Sequence, residues 1–436
     1  MFIEFSVGNY RSFKETATLS MVAAKLNAKQ ASVDTDNTVQ VGNDFSLLTS
    51  AGVYGANASG KSNLIHAMGF MRNLVLYSSR ESQADEPISV VPFRLDVTTE
   101  DAPSFFELIF LVEGVPYRYG FEVTAEKVHT EWLFFSPKGK EAKLFTREAE
   151  DISLSRSFKG GQRLMELTRP NALFLSVAAQ FNNEVAKRVF AWFKSFGFIS
   201  GLEDRYYRNF TVNRFDDDPS FRTGILEIIQ ESDVGIKNVI SIKEPIRSFL
   251  PIEKLQELRT RINKDIKEDE EVIALKSIHS KQCENGAIED VQFDFQEESE
   301  GTQKLFFMSG PVIDTLRKGG VLVVDEIEAR LHTLLTRKLI GLFSSEITNP
   351  NHAQLIFATH DTNLLSKDSF RRDQIWFVEK DEDGASHLYS LAELKIRNDA
   401  SFESDYLKGR YGSIPILGEI RQTLAIIRQE GNHVNE

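Results

Sequence analysis

The first part of the chain alternates apolar and polar residues in the way that β-strands do. Residues 2–7 predict a strand that ends at a Gly8-Asn9 turn, and residues 46–54 predict a second strand that runs into a glycine-rich loop. Between 105 and 135, three short apolar runs (FFELIFLV, YRYGFEV and EWLFF) are separated by turns. This arrangement is typical of an antiparallel meander.

Helical periodicity follows the glycine-rich loop and returns in the middle of the chain. Residues 62–76 carry apolar side chains three and four positions apart, which predicts a helix. Residues 160–290 are expected to be mostly helical. Within them the charge-dense segment 253–271 has one apolar stripe, and we interpret it as a solvated helix or as half of a short helical hairpin.

Strand patterns reappear in the last third, at 321–324, 354–358 and 374–378. The acidic run DEDG at 381–384 has two interpretations. Paired acids could belong to a metal-dependent nuclease, but the run lies between two strand-like segments and Asp-Gly is a favoured hairpin dipeptide. We therefore expect a turn there.

Composition and charge limit the function further. With 436 residues, 41% hydrophobic and 26% charged, the chain should form two or three packed lobes. Its apolar runs are far shorter than the ~20 residues of a membrane span, and no apolar segment follows the N-terminal Met, so we expect a cytoplasmic protein without a signal peptide. Cys283 is the only cysteine, which excludes an internal disulfide. The net charge of −13 argues against a generally basic nucleic-acid-binding surface, although it is compatible with a local positive groove.

The strongest chemical signal is an unbroken G-x-x-x-x-G-K-S at 55–62, between a predicted strand and a predicted helix. Such glycines let successive backbone N–H groups point at phosphate oxygens, assisted by the positive end of the following helix. Lys61 would reach the β- and γ-phosphates, and the hydroxyl of Ser62 would ligate Mg²⁺. A plain Gly/Ser loop is the alternative that this context disfavours.

Two further strands end in polar side chains. The continuous apolar run at 321–324 predicts a strand buried on both faces and is followed by Asp325 and Glu326. Asp325 would hold Mg²⁺ through its water shell, and Glu326 would orient the attacking water. The strand at 354–358 precedes His360, which is either a structural histidine or a contact to the γ-phosphate; the neighbouring acidic strand favours the second.

The polar turn at 297–305 leads into an apolar helix. Ser299, with Thr302 and Gln303 behind it, could be an ordinary N-cap. Its position 26 residues before Asp325, with one helix between, suggests instead a signature motif that includes Gly301.

Together these motifs resemble the ABC ATPases: a phosphate loop with Asn57, a degenerate signature at 299–303, an Asp-Glu pair and a terminal His360. The more specific resemblance is to the branch containing the SMC, Rad50 and RecF heads. Residues 9–13 (NYRSF) are similar to an N-terminal element of that branch, whose Arg, here Arg11, reaches the nucleotide phosphates. Residues 329–332 (ARLH) are similar to its D-loop.

Within this branch, three segments resemble the prokaryotic abortive-infection ATPases of the RloA-like and OLD-like type: NALFLS at 171–176, DVGI at 233–236 and DYLKGRYGSIP at 405–415. Three features depart from the resemblance. The signature carries Glu298 and Glu300 in place of Leu and Gly, and no glutamine-loop residue is assignable before the meander, where 92–94 (PFR) stands at about the expected place. The 76 residues after His360 leave no room for a Toprim nuclease, so a separate polypeptide is expected to do any cutting.

The resemblance implies an α/β fold: an ABC-ATPase head with a P-loop core, an antiparallel meander and an inserted helical lobe. The implied domains are an N-terminal head part (1–158), a mainly helical insertion (159–289), a C-terminal head part (290–395) and a tail for partner docking (396–436).

The implied activity is hydrolysis of ATP with Mg²⁺ by a head-to-head homodimer, in which the signature of one subunit covers the nucleotide of the other. The implied site has catalytic residues Glu326 and His360 and metal ligands Ser62 and Asp325. Its nucleotide-binding residues are Arg11, Gly55, Asn57, Ala58, Ser59, Gly60, Lys61, Ser62, Asn63, Ser299 and Gly301.

The favoured function is a nucleotide-driven sensor or scaffold of an anti-phage abortive-infection system that controls a separate nuclease or toxin. The alternatives are a DNA-repair ATPase of RecF or Rad50 type, which would bind duplex DNA with a steep salt dependence, and an ATP-binding scaffold with little turnover. A transporter subunit fits poorly because the phosphate loop and the signature are far apart. A GTPase is discarded because NKDI at 263–266 misses the required Asn-Lys-x-Asp spacing.

Overall fold

A computed structural model describes residues 1–26, 31–42, 45–80, 83, 86–232, 235–248, 254, 267, 269–396 and 400–415. The strands are β1 Phe2–Gly8, β2 Ala17–Ser20, β3 Thr38–Val41, β4 Phe45–Leu48, β5 Ser50–Tyr54, β6 Ser104–Val112, β7 Val115–Val123, β8 Val128–Phe135, β9 Ala142–Glu148, β10 Asp151–Leu154, β11 Phe196–Ser200, β12 Asn238–Pro245, β13 Glu271–Gln282, β14 Ile288–Asp294, β15 Val321–Asp325, β16 Gln354–Ala358, β17 Ile375–Lys380 and β18 Ser386–Ser390. The helices are α1 Ala31–Asp36, α2 Lys61–Tyr77, α3 Gln162–Met165, α4 Phe174–Gln180, α5 Glu184–Lys194, α6 Arg205–Asp217, α7 Pro219–Gln230, α8 Glu300–Lys318, α9 Thr333–Ser344 and α10 Phe402–Leu407.

The central sheet has the strand order β11-β15-β16-β5-β17-β18. All neighbouring pairs are parallel except β17 and β18, which form an antiparallel hairpin. Val323 pairs with Ile356, and Ile356 pairs with Ala51, so three strands are in register. Parallel strands end at the same edge of a sheet, and loops that follow them meet there.

The two faces of this sheet contribute to two separate cores. One face, with Val323 and Ile356, packs with α2, α4, α5 and the inner face of a second, antiparallel sheet. The other face, with Val324 and Phe357, packs with α6, α7, α8 and α9. Burial on both faces explains why these strands are continuous apolar runs in the sequence, as predicted.

The second sheet has seven antiparallel strands in the order β10-β9-β8-β7-β6-β1-β2. It contains the predicted first strand and the predicted meander, and its aromatic side chains form much of the first core. Phe106, for example, is fully buried and contacts the rings of Tyr10, Phe70 and Phe121. The fold is therefore mixed α/β with several sheets, consistent with a P-loop ATPase domain.

The structure corrects the expectation that residues 160–290 are mostly helical. Residues 162–230 do contain α3 to α7, but β11 lies among them and joins the central sheet beside β15. Residues 238–294 form a three-stranded antiparallel sheet, β12-β13-β14. The physical reason is that β12 and β13 are rich in Val and Ile, whose β-branched side chains pack well on a pleated strand and lose rotamer freedom in a helix.

Two smaller predictions also have outcomes. The single strand expected at 46–54 is two strands, because β4 pairs with β3 whereas β5 enters the central sheet. The DEDG run is a turn, as predicted: Asp381 accepts a hydrogen bond from the Ala385 N–H, and Gly384 has φ +79°. The charged segment 253–271 lies outside the described residues apart from Lys254, Lys267 and 269–271.

Candidate functional site

The glycine-rich loop connects the buried strand β5 to α2, as the motif requires. Its two glycines have backbone conformations that other residues rarely adopt, with φ +154° at Gly55 and φ +119° at Gly60. A Cβ at Gly55 would collide with the carbonyl oxygen of Val378, and one at Gly60 with the hydroxyl of Ser386. The loop thus passes closely over the β17–β18 hairpin, and only glycine fits at both positions.

Lys61 begins α2, and its side chain folds back over the loop. Its ammonium group donates hydrogen bonds to the carbonyl oxygens of Gly55 (2.8 Å) and Ala56 (3.0 Å). Burial lowers the pKa of Lys61 to about 8, although the nearby carboxylates of Asp325, Glu328 and Glu326 oppose this shift. A buried cation that donates to neutral carbonyl oxygens is suited to receive an anion.

Asp325 and Glu326 lie where β15 ends, on the side of the sheet where the glycine-rich loop also begins. The Oδ1 atom of Asp325 is buried and has no hydrogen-bond partner among the described residues. Glu326 has φ +52°, which takes the chain out of the strand direction. Burial, together with the charges of Asp325 and Glu328, raises the pKa of Glu326. A carboxyl group with a raised pKa is a better proton acceptor than an ordinary one.

His360 follows β16 and lies beside Lys61, with 3.4 Å between Nδ1 of the imidazole and Nζ of the lysine. Burial and the positive charge of Lys61 lower the pKa of His360, so its imidazole is neutral at neutral pH. The backbone N–H of His360 donates to Oε1 of Glu328 at 2.6 Å.

The N-terminal NYRSF element lies against the first turn of α2. Nη1 of Arg11 is 3.5 Å from Oδ1 of Asn63, and the Asn63 amide donates to the hydroxyl of Ser12 at 2.8 Å. The Ser386 hydroxyl also donates to the carbonyl oxygen of Ser59. The first two contacts place Arg11 next to the start of α2, and the third holds the loop against the β17–β18 hairpin.

Ser299 and Gly301 lie elsewhere. Ser299 is the N-cap of α8, and its hydroxyl accepts a hydrogen bond from the Thr302 N–H at 3.1 Å. A Cβ at Gly301 would approach the carbonyl oxygen of Arg330 to 2.9 Å, so this turn packs against the segment after β15. No hydrogen bond between described residues joins either one to residues 55–62.

Two features were missed from the sequence. Glu328 was not singled out, yet it contacts His360. β11 borders β15 on the side opposite β16, and the loop after β11 reaches the acidic strand end. There the Gly201 N–H donates to the carbonyl oxygen of Asp325 at 2.6 Å. A cleft of about 760 Å³ adjoins this loop, lined among others by Arg11, His66, Arg72, Phe198, Tyr206 and Asp325. The short apolar run FGFIS at 196–200 was the available signal for β11.

The donor groups at this edge of the sheet bear on whether a magnesium ion could bind there. In the part of the chain that the structure describes, no group of three or more His, Cys, Asp or Glu side chains could hold a metal ion. Mg²⁺ does not need such a cage, since it commonly binds one or two carboxylates together with substrate phosphates and waters. The Oδ1 atom of Asp325, which has no partner among the described residues, fits that kind of site, and Ser62 is the second residue of the helix that follows the loop.

A strand, a glycine-rich loop and a helix, opposite an acidic strand end in a parallel sheet, define the P-loop nucleotide-binding class. The family model described as "AAA domain, putative AbiEii toxin, Type IV TA system" matches residues 50–366, well over half of the chain. The chain therefore belongs to this family of P-loop AAA ATPases. No curated protein matches it. No helix among the described residues has the length and hydrophobicity needed to cross a membrane.

Proposed function

We propose that the protein binds and hydrolyses ATP with Mg²⁺ at the edge of the central sheet. The observation that carries the proposal is the meeting of Lys61, Asp325, Glu326 and His360 at the ends of three adjacent parallel strands. The N–H groups of 55–62 would cradle the phosphates, with Asn57, Ala58 and Ser59 in the turn of the loop. Lys61 would exchange its carbonyl partners for phosphate oxygens, and Arg11 and Asn63 would complete the binding surface.

Glu326 is the proposed general base, since its raised pKa and its position at the strand end suit a group that orients and deprotonates water. His360, neutral and beside Lys61, would hold the γ-phosphate side of the site. Asp325 and Ser62 would hold Mg²⁺, which when bound neutralises charge on the phosphates.

Ser299 and Gly301 would act on the nucleotide of a second subunit, as in the SMC, Rad50 and RecF branch of ABC ATPases. Their position at the N-terminus of a 19-residue helix, away from residues 55–62, supports this division. The protein would then work as a homo-oligomer that contains at least a head-to-head dimer.

The biological role we infer is that of a nucleotide-driven sensor or scaffold of an abortive-infection system that controls a separate nuclease or toxin. The family description, which mentions the AbiEii toxin and type IV toxin–antitoxin systems, supports this role. The tail at 396–436, which contains DYLKGRYGSIP at 405–415, is the candidate docking region for that effector.

A scaffold that binds ATP with little turnover is a second candidate. It is favoured by one observation: Glu298 and Glu300 flank Ser299, and negative charge at a helix N-terminus would repel an approaching phosphate.

The testing experiment combines calorimetric titration with Mg-ATP, steady-state phosphate release, and co-purification with the product of the neighbouring gene in the presence and absence of ATP. Binding with turnover supports the ATPase. Binding without turnover supports the scaffold, and absence of binding overturns both. ATP-dependent binding of duplex DNA that weakens steeply with salt would support a repair function instead.

A further inference from the structure

Glu328 is a third carboxylate at the edge of the central sheet where Asp325 and Glu326 lie. Glu328 comes three residues after Asp325, and its Oε1 accepts the backbone N–H of His360 across 32 positions of sequence. Among the described residues Glu328 takes part in no ion pair, and its Oε2 is buried without a hydrogen-bond partner. A buried polar atom without a partner is uncommon in folded proteins and calls for an explanation.

The hydrogen bond between His360 and Glu328 takes the place of a backbone hydrogen bond between the ends of β15 and β16. The regular pairing of β15 with β16 ends at Val324 and Phe357, and Glu326 then leaves the strand direction. One backbone bond continues the pairing, from the Ile327 N–H to the carbonyl oxygen of Ala358 at 3.2 Å. The next donor on this side is the His360 N–H, and it is satisfied by a side chain instead of a backbone carbonyl.

We propose that Glu328 is a positioning residue for His360: its carboxylate fixes the backbone of His360 where the strand ladder has ended, so that the imidazole stays beside Lys61 and the phosphate loop. This inference rests on the proposed function for its catalytic consequence, but the positioning itself is a property of the nucleotide-free protein. The role of Glu328 is thus to act through His360 without touching the substrate.

Electrostatics around Glu328 are consistent with this position. Its charge opposes the lowering of the pKa of both Lys61 and His360, and it adds to the burial that raises the pKa of Tyr54. Tyr54 immediately precedes the phosphate loop, and its buried hydroxyl has no hydrogen-bond partner within the described ranges. Glu328 follows β15, contacts His360 after β16, and interacts electrostatically with Tyr54 and Lys61 on either side of the phosphate loop.

The experiment compares Glu328→Ala with Glu328→Gln. The glutamine keeps a side-chain oxygen that can accept the His360 N–H, whereas alanine removes it. For Glu328→Ala we expect kcat to fall about tenfold to a hundredfold, as for other outer partners that orient a functional side chain, with the Kd for mant-ATP changed by less than about threefold. Glu328→Gln should recover most of kcat. An equal loss in both variants would overturn the positioning role.

A double-mutant cycle separates positioning from an independent effect. If Glu328 acts through His360, the double variant Glu328→Ala/His360→Ala should be no slower than His360→Ala alone. If the fold-losses in kcat of the two single variants multiplied in the double variant, the proposal would be overturned. Glu346→Ala, at an exposed glutamate after α9, is the matched control and should leave kcat unchanged.

A readout without nucleotide keeps the inference testable if the protein does not hydrolyse ATP. In ¹⁵N-histidine-labelled protein, the imidazole signals of His360 are assigned by their loss in His360→Gln. At a pH well above the His360 pKa, where the imidazole is neutral with or without the Glu328 charge, we expect Glu328→Ala to shift or broaden these signals and Glu328→Gln to leave them in place. Unchanged signals in Glu328→Ala would overturn the positioning role, whereas absent ATP binding by the wild type would overturn only the proposed function.

Discussion

Nζ of Lys61 lies 3.4 Å from Nδ1 of His360, although 299 positions separate the two residues in the chain. This proximity follows from the strand order, because β5 and β16 are neighbours and both end at the same edge. A buried lysine and a neutral imidazole therefore share the place where an anionic group of a nucleotide would bind, and each can be tested separately.

Replacing Lys61 by alanine should abolish measurable nucleotide binding. The ammonium is buried and would form charge-assisted hydrogen bonds to phosphate, each worth about 1.5–3 kcal/mol, so affinity should fall by roughly 10- to 150-fold per bond. Calorimetric titration with Mg-ATP measures the loss. Lys140→Ala, at an exposed turn lysine, is the control and should bind normally. If Lys61→Ala bound Mg-ATP with wild-type affinity, the loop at 55–62 would not be part of the nucleotide-binding site.

Glu326→Gln should bind ATP but turn it over about 10²- to 10⁴-fold more slowly, the range expected for loss of a general base. Because the closed dimer would then persist, ATP should also increase the dimer fraction seen by analytical ultracentrifugation. Phosphate release under saturating ATP gives the rate. An unchanged rate in this variant would exclude Glu326 as the base.

The pKa of His360 should lie below the ordinary value of 6.5 and should rise in Lys61→Ala, since the lysine charge is the second cause of the shift after burial. The unfolded chain therefore binds more protons at this site near pH 6. Its contribution to the free energy of unfolding is complete above about pH 6.5 and is lost as the pH falls through the folded-state pKa. NMR titration of the His360 imidazole signals measures this pKa in the wild type and in Lys61→Ala. A pKa that does not change on removing the lysine would contradict the observed proximity.

The sequence predicts those parts of the fold and site that depend on interactions between neighbouring residues. The phosphate loop could be predicted because its glycines, Lys61 and the flanking strand and helix are consecutive in the chain. The Asp325–Glu326 pair could be predicted because a strand buried on both faces is uniformly apolar, which marks the strand end that the two acids follow. The sheet at 238–294 was missed, in part because β14 (IEDVQFD) is largely exposed and shows no apolar alternation. Glu328 was missed because its role depends on a contact with another strand, which no local pattern records.

Ser299→Arg tests whether the signature acts between subunits. A bulky cation at the N-cap of α8 would obstruct an approaching partner but would leave residues 55–62 untouched in its own subunit. We therefore expect ATP binding within about threefold of wild type, together with loss of hydrolysis and of ATP-induced dimerisation. Ser299→Ala is the milder companion, because it removes only the cap hydrogen bond, worth about 1 kcal/mol. A fully active Ser299→Arg protein would contradict the two-subunit arrangement.

The last prediction concerns Gly201, which connects β11 to the acidic strand end. Its N–H donates to the carbonyl oxygen of Asp325, and a Cβ at this position would collide with the carbonyl oxygen of Glu326. Because backbone atoms on both sides must then move, Gly201→Ala should destabilise the fold by about 1–3 kcal/mol and displace Glu326. Gly341→Ala is the matched control: Gly341 is inside α9 with open space around its Cβ position, so alanine should stabilise the protein by about 0.5–1 kcal/mol. Chemical denaturation compares the two variants, and turnover per folded molecule reports whether Glu326 has moved. If Gly201→Ala were as stable and as active as the wild type, the close packing of these two loops would not be required for the site.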